Sequence, residues 1–269
     1  MRWIGMVNPR VSYFLRASIR GFAFPFRPRA IDSSPHLRDD FAKYSDLYHG
    51  SCANFEKVVS PYQAEIQWSP GRVYNGLFET IDAELYHCMV RFLQPEKVIE
   101  VGAGNSTWFA REALRLSGGG QLVAIDPDPR LAPPRECQLI RDFVQNVDRR
   151  IFRELRGNDV LFIDSSHSME EARYTTENIF PSLRKDVFVH IHDIVFPYRG
   201  YSSFVPPLED LREQEVILEF LRNHRESFEV FTSSAFARYM NPNMVSRLIP
   251  SKKYRPKVAG GSLWIRKRT

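Results

Sequence analysis

Short apolar runs alternate with longer segments of helical periodicity along most of this 269-residue chain. Each run is three to five residues long and is followed by an acid or by turn residues, which favours buried strands. The predicted strands are Val98–Val101, Leu122–Ile125, Gln138–Ile140, Val160–Ile163, Val187–Ile191, Phe228–Phe231 and Ser262–Ile265. Apolar residues three or four positions apart predict helices between the strands. These are expected at about Phe78–Phe92, Ser106–Leu116, Met169–Phe180 and Leu208–Arg222.

Strands that alternate with helices in this way predict an α/β fold with a mostly parallel sheet, covered by helices on both faces. Such sheets bind their ligands at the carboxyl ends of the strands. The residues that directly follow each predicted strand are therefore the first candidates for a functional site.

The first 60 residues differ in character from the rest of the chain. Residues 1–45 mix aromatic residues, arginines and prolines, whereas residues 46–75 are rich in loop-forming residues. We therefore expect a basic and aromatic N-terminal arm with a loop-rich extension over residues 1–60, and one domain over residues 61–269. The segment Phe196–Pro207, rich in aromatic residues, glycine and proline, is either a lid or an ordered surface loop.

The net charge of +5 is unevenly distributed. Residues 1–30 contain six arginines and no acid, and residues 247–269 contain eight lysines and arginines and no acid. The remaining 23 basic and 32 acidic residues give residues 31–246 a net charge of −9. An acidic body argues against a broad nucleic-acid groove, so no nucleic-acid partner is expected. The basic arm is suited either to peripheral contact with an anionic membrane or to a partner subunit in a homo-oligomer.

Two further features bear on the location of the protein. No apolar segment is long enough to predict a membrane-spanning helix. Cys52, Cys88 and Cys137 are odd in number and far apart, and they match no zinc or redox spacing. We interpret them as reduced thiols, which favours a cytoplasmic protein, with membrane association through the arm left open.

The first candidate site follows the strand that begins at Val98. Its segment Glu100–Thr107 contains Gly102 and Gly104, which allow a sharp turn and a close approach of the backbone to a ligand. The helix behind them, which is expected to begin at about Ser106 after Asn105, offers free N–H groups that suit a carboxylate. Glu100 would repel a pyrophosphate but suits a cationic ligand with an amino group, such as S-adenosylmethionine (SAM). The alternative is a generic strand–turn–helix connection.

Acids follow the next two strands as well. Asp126 ends the strand Leu122–Ile125, where a carboxylate can accept hydrogen bonds from both ribose hydroxyls of an adenosine. Asp142 and Phe143 follow the third strand and can hold the edge and the face of an adenine ring. An ordinary loop explains this pair equally well.

Three motifs together resemble a known family. They are Val98-Ile99-Glu100-Val101-Gly102-Ala103-Gly104-Asn105-Ser106-Thr107, Ala124-Ile125-Asp126-Pro127 and Asp159-Val160-Leu161-Phe162-Ile163-Asp164-Ser165-Ser166-His167. They are similar to class I SAM-dependent methyltransferases, and most of all to the methyltransferase-24-like family, from about Pro61 to the last strand. This resemblance implies a Rossmann-like sheet of order 3-2-1-4-5-7-6 with strand 7 antiparallel, and SAM as the cofactor.

A third group of polar residues follows strands four and five, which the resemblance makes neighbours. Asp164 ends strand four, and His192 and Asp193 end strand five. Two converging carboxylates need a proton, a basic group or a metal between them. Asp164, His192 and Asp193 are therefore a candidate site for Mg²⁺ or another divalent metal, as in the metal-dependent O-methyltransferases that they resemble. Those enzymes usually have a carboxylate where His192 stands. The alternative is that Asp164 binds backbone amides and that Asp193 caps the next loop.

His167 precedes Ser168 and Glu171, which have the spacing of a helix capping box. The helix therefore begins beside His167, which lies on the loop over the strand ends. We expect the positive end of the helix dipole to keep its imidazole neutral, so that His167 is a candidate general base together with Asp164. A structural loop histidine is the alternative, and His190, within strand five, is expected to be a core residue.

These observations predict a SAM-dependent methyltransferase that methylates an oxygen of a hydroxylated small molecule or glycan, with divalent-metal assistance left open. A nicotinamide-dependent Rossmann oxidoreductase is a rival interpretation, against which Glu100 and the absence of a third glycine both argue. A non-catalytic adapter that retains the fold is a second rival, and the polar strand ends argue against it.

Overall fold

The computed structural model describes residues 41–73, 75, 77–164, 166–198, 213–254 and 260–269, which lie within one compact unit. Residues 1–40 and 199–212 lie outside the described residues. The predictions for the basic arm, for its membrane or subunit contact and for a lid up to Pro207 therefore stay predictions, as does the domain boundary at residue 60. Among the described residues, no helix combines the length and apolar character needed to cross a membrane.

Seven strands form one mixed sheet in the order β3-β2-β1-β4-β5-β7-β6. Strand β7 pairs antiparallel with β5 and with β6, and the other neighbours pair in parallel. The α/β class and the predicted sheet order are thus confirmed. The strands are β1 Lys97–Val101, β2 Gln121–Ile125, β3 Cys137–Ile140, β4 Val160–Ile163, β5 Phe188–Ile191, β6 Phe228–Ser233 and β7 Leu263–Lys267.

Helices cover both faces of the sheet, and each face has its own apolar core. The α-helices among the described residues are α1 Ser51–Val59, α2 Pro70–Val73, α3 Asp82–Leu93, α4 Asn105–Leu116, α5 Arg150–Arg153, α6 Met169–Tyr174, α7 Glu213–Asn223, α8 Ser234–Met240 and α9 Pro242–Leu248. Short 3₁₀ turns lie at Ser45–Tyr48, Ser60–Tyr62, Val144–Asn146, Phe180–Ser182 and Pro250–Tyr254, and a π turn at Thr175–Ile179 continues α6.

Helix α3 differs from the amphipathic helix expected from Phe78. It begins at Asp82, and ten of its twelve residues are buried, because the sheet, α1 and α4 surround it. Its charged residues Asp82 and Glu84 are buried as well. Helix α3 is therefore an internal helix, and it lies behind the candidate site described below.

Residues 51–59, expected to lie in a loop-rich stretch, form helix α1. Phe55, Val58 and Val59 are buried at helical spacing on its inner side. The helix also covers the edge strand β6, where Asn54 Nδ2 donates to the Phe231 carbonyl at 2.9 Å. An uncovered edge would present unpaired backbone groups to other chains, which explains why a helix stands here.

Candidate active site

The loop after β1 is built to bring backbone N–H groups together. Gly102 has φ of 97°, a left-handed conformation that glycine adopts without strain. Its N–H donates to the Ile125 carbonyl at 2.9 Å, and the N–H of Gly104 donates to Thr107 Oγ1 at 3.1 Å. Helix α4 begins directly after this loop, at Asn105. The predicted strand–glycine loop–helix arrangement is present, with its helix N-terminus at the carboxyl edge of the sheet.

Asp126 ties the end of β2 to this loop. Its Oδ2 accepts a hydrogen bond from the Ala103 N–H at 2.9 Å, and its Oδ1 accepts one from the Asp128 N–H at 2.8 Å. Asp126 is 5% exposed. Each carboxylate oxygen can accept more than one hydrogen bond, so these contacts are compatible with ribose binding, which stays a prediction.

Asp142 and Phe143 lie half-buried directly after β3. Asp142 Oδ1 accepts hydrogen bonds from the Phe143 N–H at 2.8 Å and from Asn146 Nδ2 at 2.7 Å. This Asx-type turn is what an ordinary loop would also contain, so the proposed contact with adenine stays a prediction.

Glu100 is completely buried at the end of β1, where the Tyr86 hydroxyl of α3 donates to its Oε1 at 2.8 Å. Burial raises the pKa of Glu100 to about 7, although hydrogen bonds from Thr107 and Tyr86 oppose this change. Ser106 is also buried, at 4% exposure. A buried carboxylate at this position gains most from a cationic ligand group, because a nearby positive charge offsets the cost of its desolvation.

Asn105 also borders an open pocket of about 300 Å³ on the outer side of α4, together with Arg72 and Trp108. The arginine lies over the Trp68 ring and pairs with Glu112. This pocket shares no lining residue with the acidic group that follows β4 and β5.

Two carboxylates and two imidazoles alternate at the ends of β4 and β5. Asp164 Oδ1 lies 3.2 Å from His167 Nε2, and Asp164 Oδ2 lies 3.4 Å from His192 Nδ1. Asp193 also approaches both rings, His167 Nε2 at 3.4 Å and His192 Nδ1 at 3.5 Å. The predicted convergence of Asp164, His167, His192 and Asp193 is therefore present. These contacts do not test the alternative roles of the two acids as caps on backbone amides.

The backbone at this group is unusual. His167 has φ of 54° and Asp193 has φ of 63°, values that residues other than glycine rarely adopt. Backbone strain of this kind is concentrated at functional sites, where the surrounding structure holds it in place. Ser168 caps α6 as predicted, accepting the Glu171 N–H at 3.2 Å, so His167 does lie on the loop before the helix.

The structure corrects the expected charge of His167. Burial alone would lower its pKa, but Asp193, Asp164 and Glu213 raise the pKa to about 10. The three nearby carboxylates thus outweigh the dipole of α6, and the imidazole is protonated at neutral pH rather than neutral. Glu213, whose Oε2 lies 3.0 Å from His167 Nδ1, belongs to α7 and was not predicted from the sequence.

Asp82 was also not predicted from the sequence, and it contacts the imidazole of His192. Its Oδ2 lies 3.4 Å from His192 Nε2. Burial alone would lower the pKa of His192, but Asp164, Asp193 and Asp82 raise it well above its usual range. His190 is a core residue as expected, stacked on Trp264 and bonded through Nε2 to Ser262 Oγ at 2.8 Å.

Three side chains at the strand ends lie close enough together to hold a metal ion between them. Asp164, His167 and Asp193 each offer one ligand atom, and these atoms lie within 4.8 Å of one another. Two ligands on opposite sides of a divalent ion are separated by about 4 to 5 Å, since each bond is about 2.0 to 2.6 Å long. His167 completes this trio rather than the predicted His192, whose Nδ1 lies on the other side of the same carboxylates.

The fold is Rossmann-like, with a sheet of order 3-2-1-4-5-7-6, a glycine loop after β1 and polar strand ends at β1, β2, β4 and β5, an arrangement that is typical of methyltransferase domains. Comparison of family sequences agrees, because residues 99–194 match the family described as Methyltransferase domain. The recognition of a class I methyltransferase is confirmed over this segment, which includes every candidate residue from Glu100 to Asp193. The oxidoreductase interpretation is not supported.

Individual relatives are distant. One curated relative, described as an uncharacterized protein of Archaeoglobus fulgidus, is 28% identical over 92 residues, which are 31% of this chain. The chain thus matches 42% of the length of that relative.

Solved structures are also similar. An O-methyltransferase of Bacillus cereus in complex with SAH (S-adenosylhomocysteine) has 12% identity and a TM-score of 0.43, over 87% of this chain and 100% of that one. The SAM-bound O-methyltransferase TomG of Streptomyces achromogenes has 12% identity and a TM-score of 0.44, over 98% and 100% of the two chains.

Proposed function

We propose that this chain is a SAM-dependent O-methyltransferase that acts on a hydroxylated small molecule or glycan. The observation that carries the proposal is the group Asp164, His167, His192 and Asp193 on the same sheet edge as the glycine loop. Transfer of a methyl group to oxygen needs the acceptor in line with the sulfonium and a place for the hydroxyl proton. This group provides polar side chains where the acceptor would lie.

The cofactor would occupy the ends of β1, β2 and β3. Glu100 would take the amino group of SAM, and the N–H groups at the start of α4 would take its carboxylate. Asp126 would accept the ribose hydroxyls, with Asp142 and Phe143 at the adenine. Gly102 allows the backbone approach that this placement requires.

The acceptor proton is assigned to the pair Asp164 and His167. As an imidazolium, His167 cannot accept a proton, so the charge around it must change when the site is filled. A divalent cation held by Asp164, Asp193 and His167 would compensate the carboxylates and lower the pKa of a bound hydroxyl. His167 would then be a ligand rather than the base, and the hydroxyl proton would pass to solvent. With or without a metal, His167 lies against the carboxylates of Asp164 and Asp193 at the acceptor end.

Calorimetry with SAH tests the cofactor assignment, and transfer of label from radioactive SAM to a panel of hydroxylated compounds tests the reaction. Lack of SAH binding would refute the proposal. Binding without transfer to any hydroxyl acceptor would favour the non-catalytic adapter.

A titration with Mg²⁺ or Mn²⁺ in two buffers of different ionisation enthalpy tests the metal assignment. Because His167 is protonated beforehand, metal binding should release a proton and should become tighter as the pH rises. Asp193→Asn should abolish this binding. Asp186→Asn, which removes a distant carboxylate paired with Arg266, should leave it unchanged. No binding in the wild type would remove the metal from the mechanism.

A further inference from the structure

One side of helix α3 lies behind both halves of the candidate site. Asp82 and Tyr86 are four residues apart, so their side chains project from the same side of the helix. Asp82 approaches His192 at the acceptor end, and Tyr86 binds Glu100 at the cofactor end. Both side chains are buried, Asp82 at 5% and Tyr86 at 0% exposure.

We propose that Asp82 and Tyr86 are positioning residues on one turn of α3. Asp82 holds the imidazole of His192 at the acceptor end, and Tyr86 holds the carboxylate of Glu100 at the cofactor end, so that the positions of these two groups are fixed relative to each other. The inference rests on the proposed function, since only there do His192 and Glu100 act on the two substrates. In-line transfer tolerates little misplacement of its groups, so a common rigid support for both is chemically valuable.

Three donors besides the His192 imidazole hold the carboxylate of Asp82. It accepts from Ser234 Oγ at 2.6 Å, from the Gly261 N–H at 2.8 Å and from the Ser262 N–H at 3.0 Å. These donors belong to the start of α8 and to the segment that enters β7. A carboxylate held by donors from two other segments is fixed in place and does not follow a rotation of the His192 ring. The His192 ring must therefore keep Nε2 toward Asp82 and Nδ1 toward the acceptor end.

Two glycines allow this arrangement. A Cβ atom on Gly260, whose φ is 83°, would lie 2.4 Å from Ser234 Oγ and 3.1 Å from Asp82 Oδ1. A Cβ atom on Gly261 would lie 3.1 Å from the Cα of Asp193. The chain that enters β7 therefore passes against both Asp82 and Asp193 only because it has no side chains here.

Packing of the aromatic ring fixes the orientation of the Tyr86 side chain. The ring stacks on Phe162 with centroids 5.0 Å apart, and it packs against His190 at 5.2 Å and Trp264 at 5.9 Å. The hydroxyl therefore has one direction available, and it donates to Glu100 Oε1. The Glu100 carboxylate is thereby held by a donor from α3.

The test compares Tyr86→Phe and Asp82→Asn with Met89→Leu, a volume-conserving change at another buried position of α3. Two readouts are measured on the full chain: the affinity for SAH by calorimetry, and the Nε2 proton signal of His192 by NMR, assigned with His192→Gln. Tyr86→Phe should weaken SAH binding roughly tenfold and leave the His192 signal in place. Asp82→Asn should shift the His192 signal and change SAH affinity less than about twofold. Met89→Leu should change neither.

Three results would overturn the inference. The first is an SAH affinity of Tyr86→Phe equal to that of wild type, and the second is an unmoved His192 signal in Asp82→Asn. The third is a loss of affinity in all three variants in proportion to their loss of thermal stability. The last outcome is what a merely structural role predicts. A wild-type protein that binds no SAH would instead refute the proposed function and, with it, the cofactor half of the inference. The His192 measurement, which needs no cofactor, judges the other half separately.

Discussion

Replacing Glu100 with glutamine should stabilise the empty protein at high pH and weaken its binding of the cofactor. Burial raises the pKa of this carboxyl from 4.5 to about 7. An acid whose pKa rises on folding favours the folded state below its unfolded pKa, and this contribution is lost as the pH rises from 4.5 to about 7. The difference corresponds to about 3 kcal/mol of unfolding free energy. Glutamine has the same shape and does not ionise, so it avoids this cost.

Glu84 supplies a matched control. It is buried on α3, accepts hydrogen bonds from Thr80 and Ser251, and burial raises its pKa to about 7 as well. Urea unfolding of wild type, Glu100→Gln and Glu84→Gln would be measured at pH 5 and pH 8. Each variant should gain less than about 1 kcal/mol over wild type at pH 5 and up to about 3 kcal/mol at pH 8. Only Glu100→Gln should lose affinity for SAH.

Two results would refute this reasoning. A stability difference between Glu100→Gln and wild type that is equal at both pH values would show that the buried carboxyl does not titrate in this range. Unchanged affinity for SAH in Glu100→Gln would show that Glu100 is not an anchor of the cofactor. A loss of affinity in Glu84→Gln would point to an indirect effect through α3.

Three other substitutions test the site and its support. Asp126→Ala should weaken SAH binding by about 1.5 to 3 kcal/mol, because it removes the ribose acceptor and the partner of the loop amides, and unchanged calorimetric affinity would remove this assignment. His167→Ala should lower methyl transfer by roughly 10²- to 10⁴-fold and retain SAH binding, with EDTA abolishing wild-type activity only if a metal takes part. Parent-like turnover across the pH range would make His167 a loop residue. Gly260→Ala should lower the unfolding free energy by roughly 1 to 3 kcal/mol, because the added Cβ would lie 2.4 Å from Ser234 Oγ. Gly71→Ala is the control and should be tolerated, because its added Cβ would meet nothing within 4 Å. Equal urea midpoints for these two variants would contradict the close approach.

Local pattern was sufficient for the strands that carry the site. Strand β4 is predicted to the residue and β1 to within one residue, because a strand buried on both faces is a continuous apolar run. The acids that follow such runs lie at one edge of the sheet by geometry alone. Asp126, Asp164 and Asp193 were therefore predictable at one edge of the sheet once the parallel order was known, with Glu100 in the last pleat of β1 before that edge.

Helices whose packing depends on distant segments were harder to predict. Helix α1 was missed because it is short and lies in a stretch rich in loop-forming residues. Its role is to cover the edge strand β6, where Asn54 contacts a residue 177 positions further along the chain. Helix α3 was expected to expose one face, but contacts with other helices bury nearly all of it. Periodicity reports which side of a helix is apolar, and it does not report how many neighbours the helix has.

The sequence by itself determined which residue types stand at the strand ends and where the glycine loop between β1 and α4 lies. Only the tertiary structure decided the charge of these groups and their supports. Glu213 of α7 reaches His167 across 46 positions of sequence, and Asp82 of α3 reaches His192 from the other side of the sheet edge. The ionisation of a buried imidazole depends on the sum of all nearby charges and on burial, and both are set by segments that meet only in the folded chain.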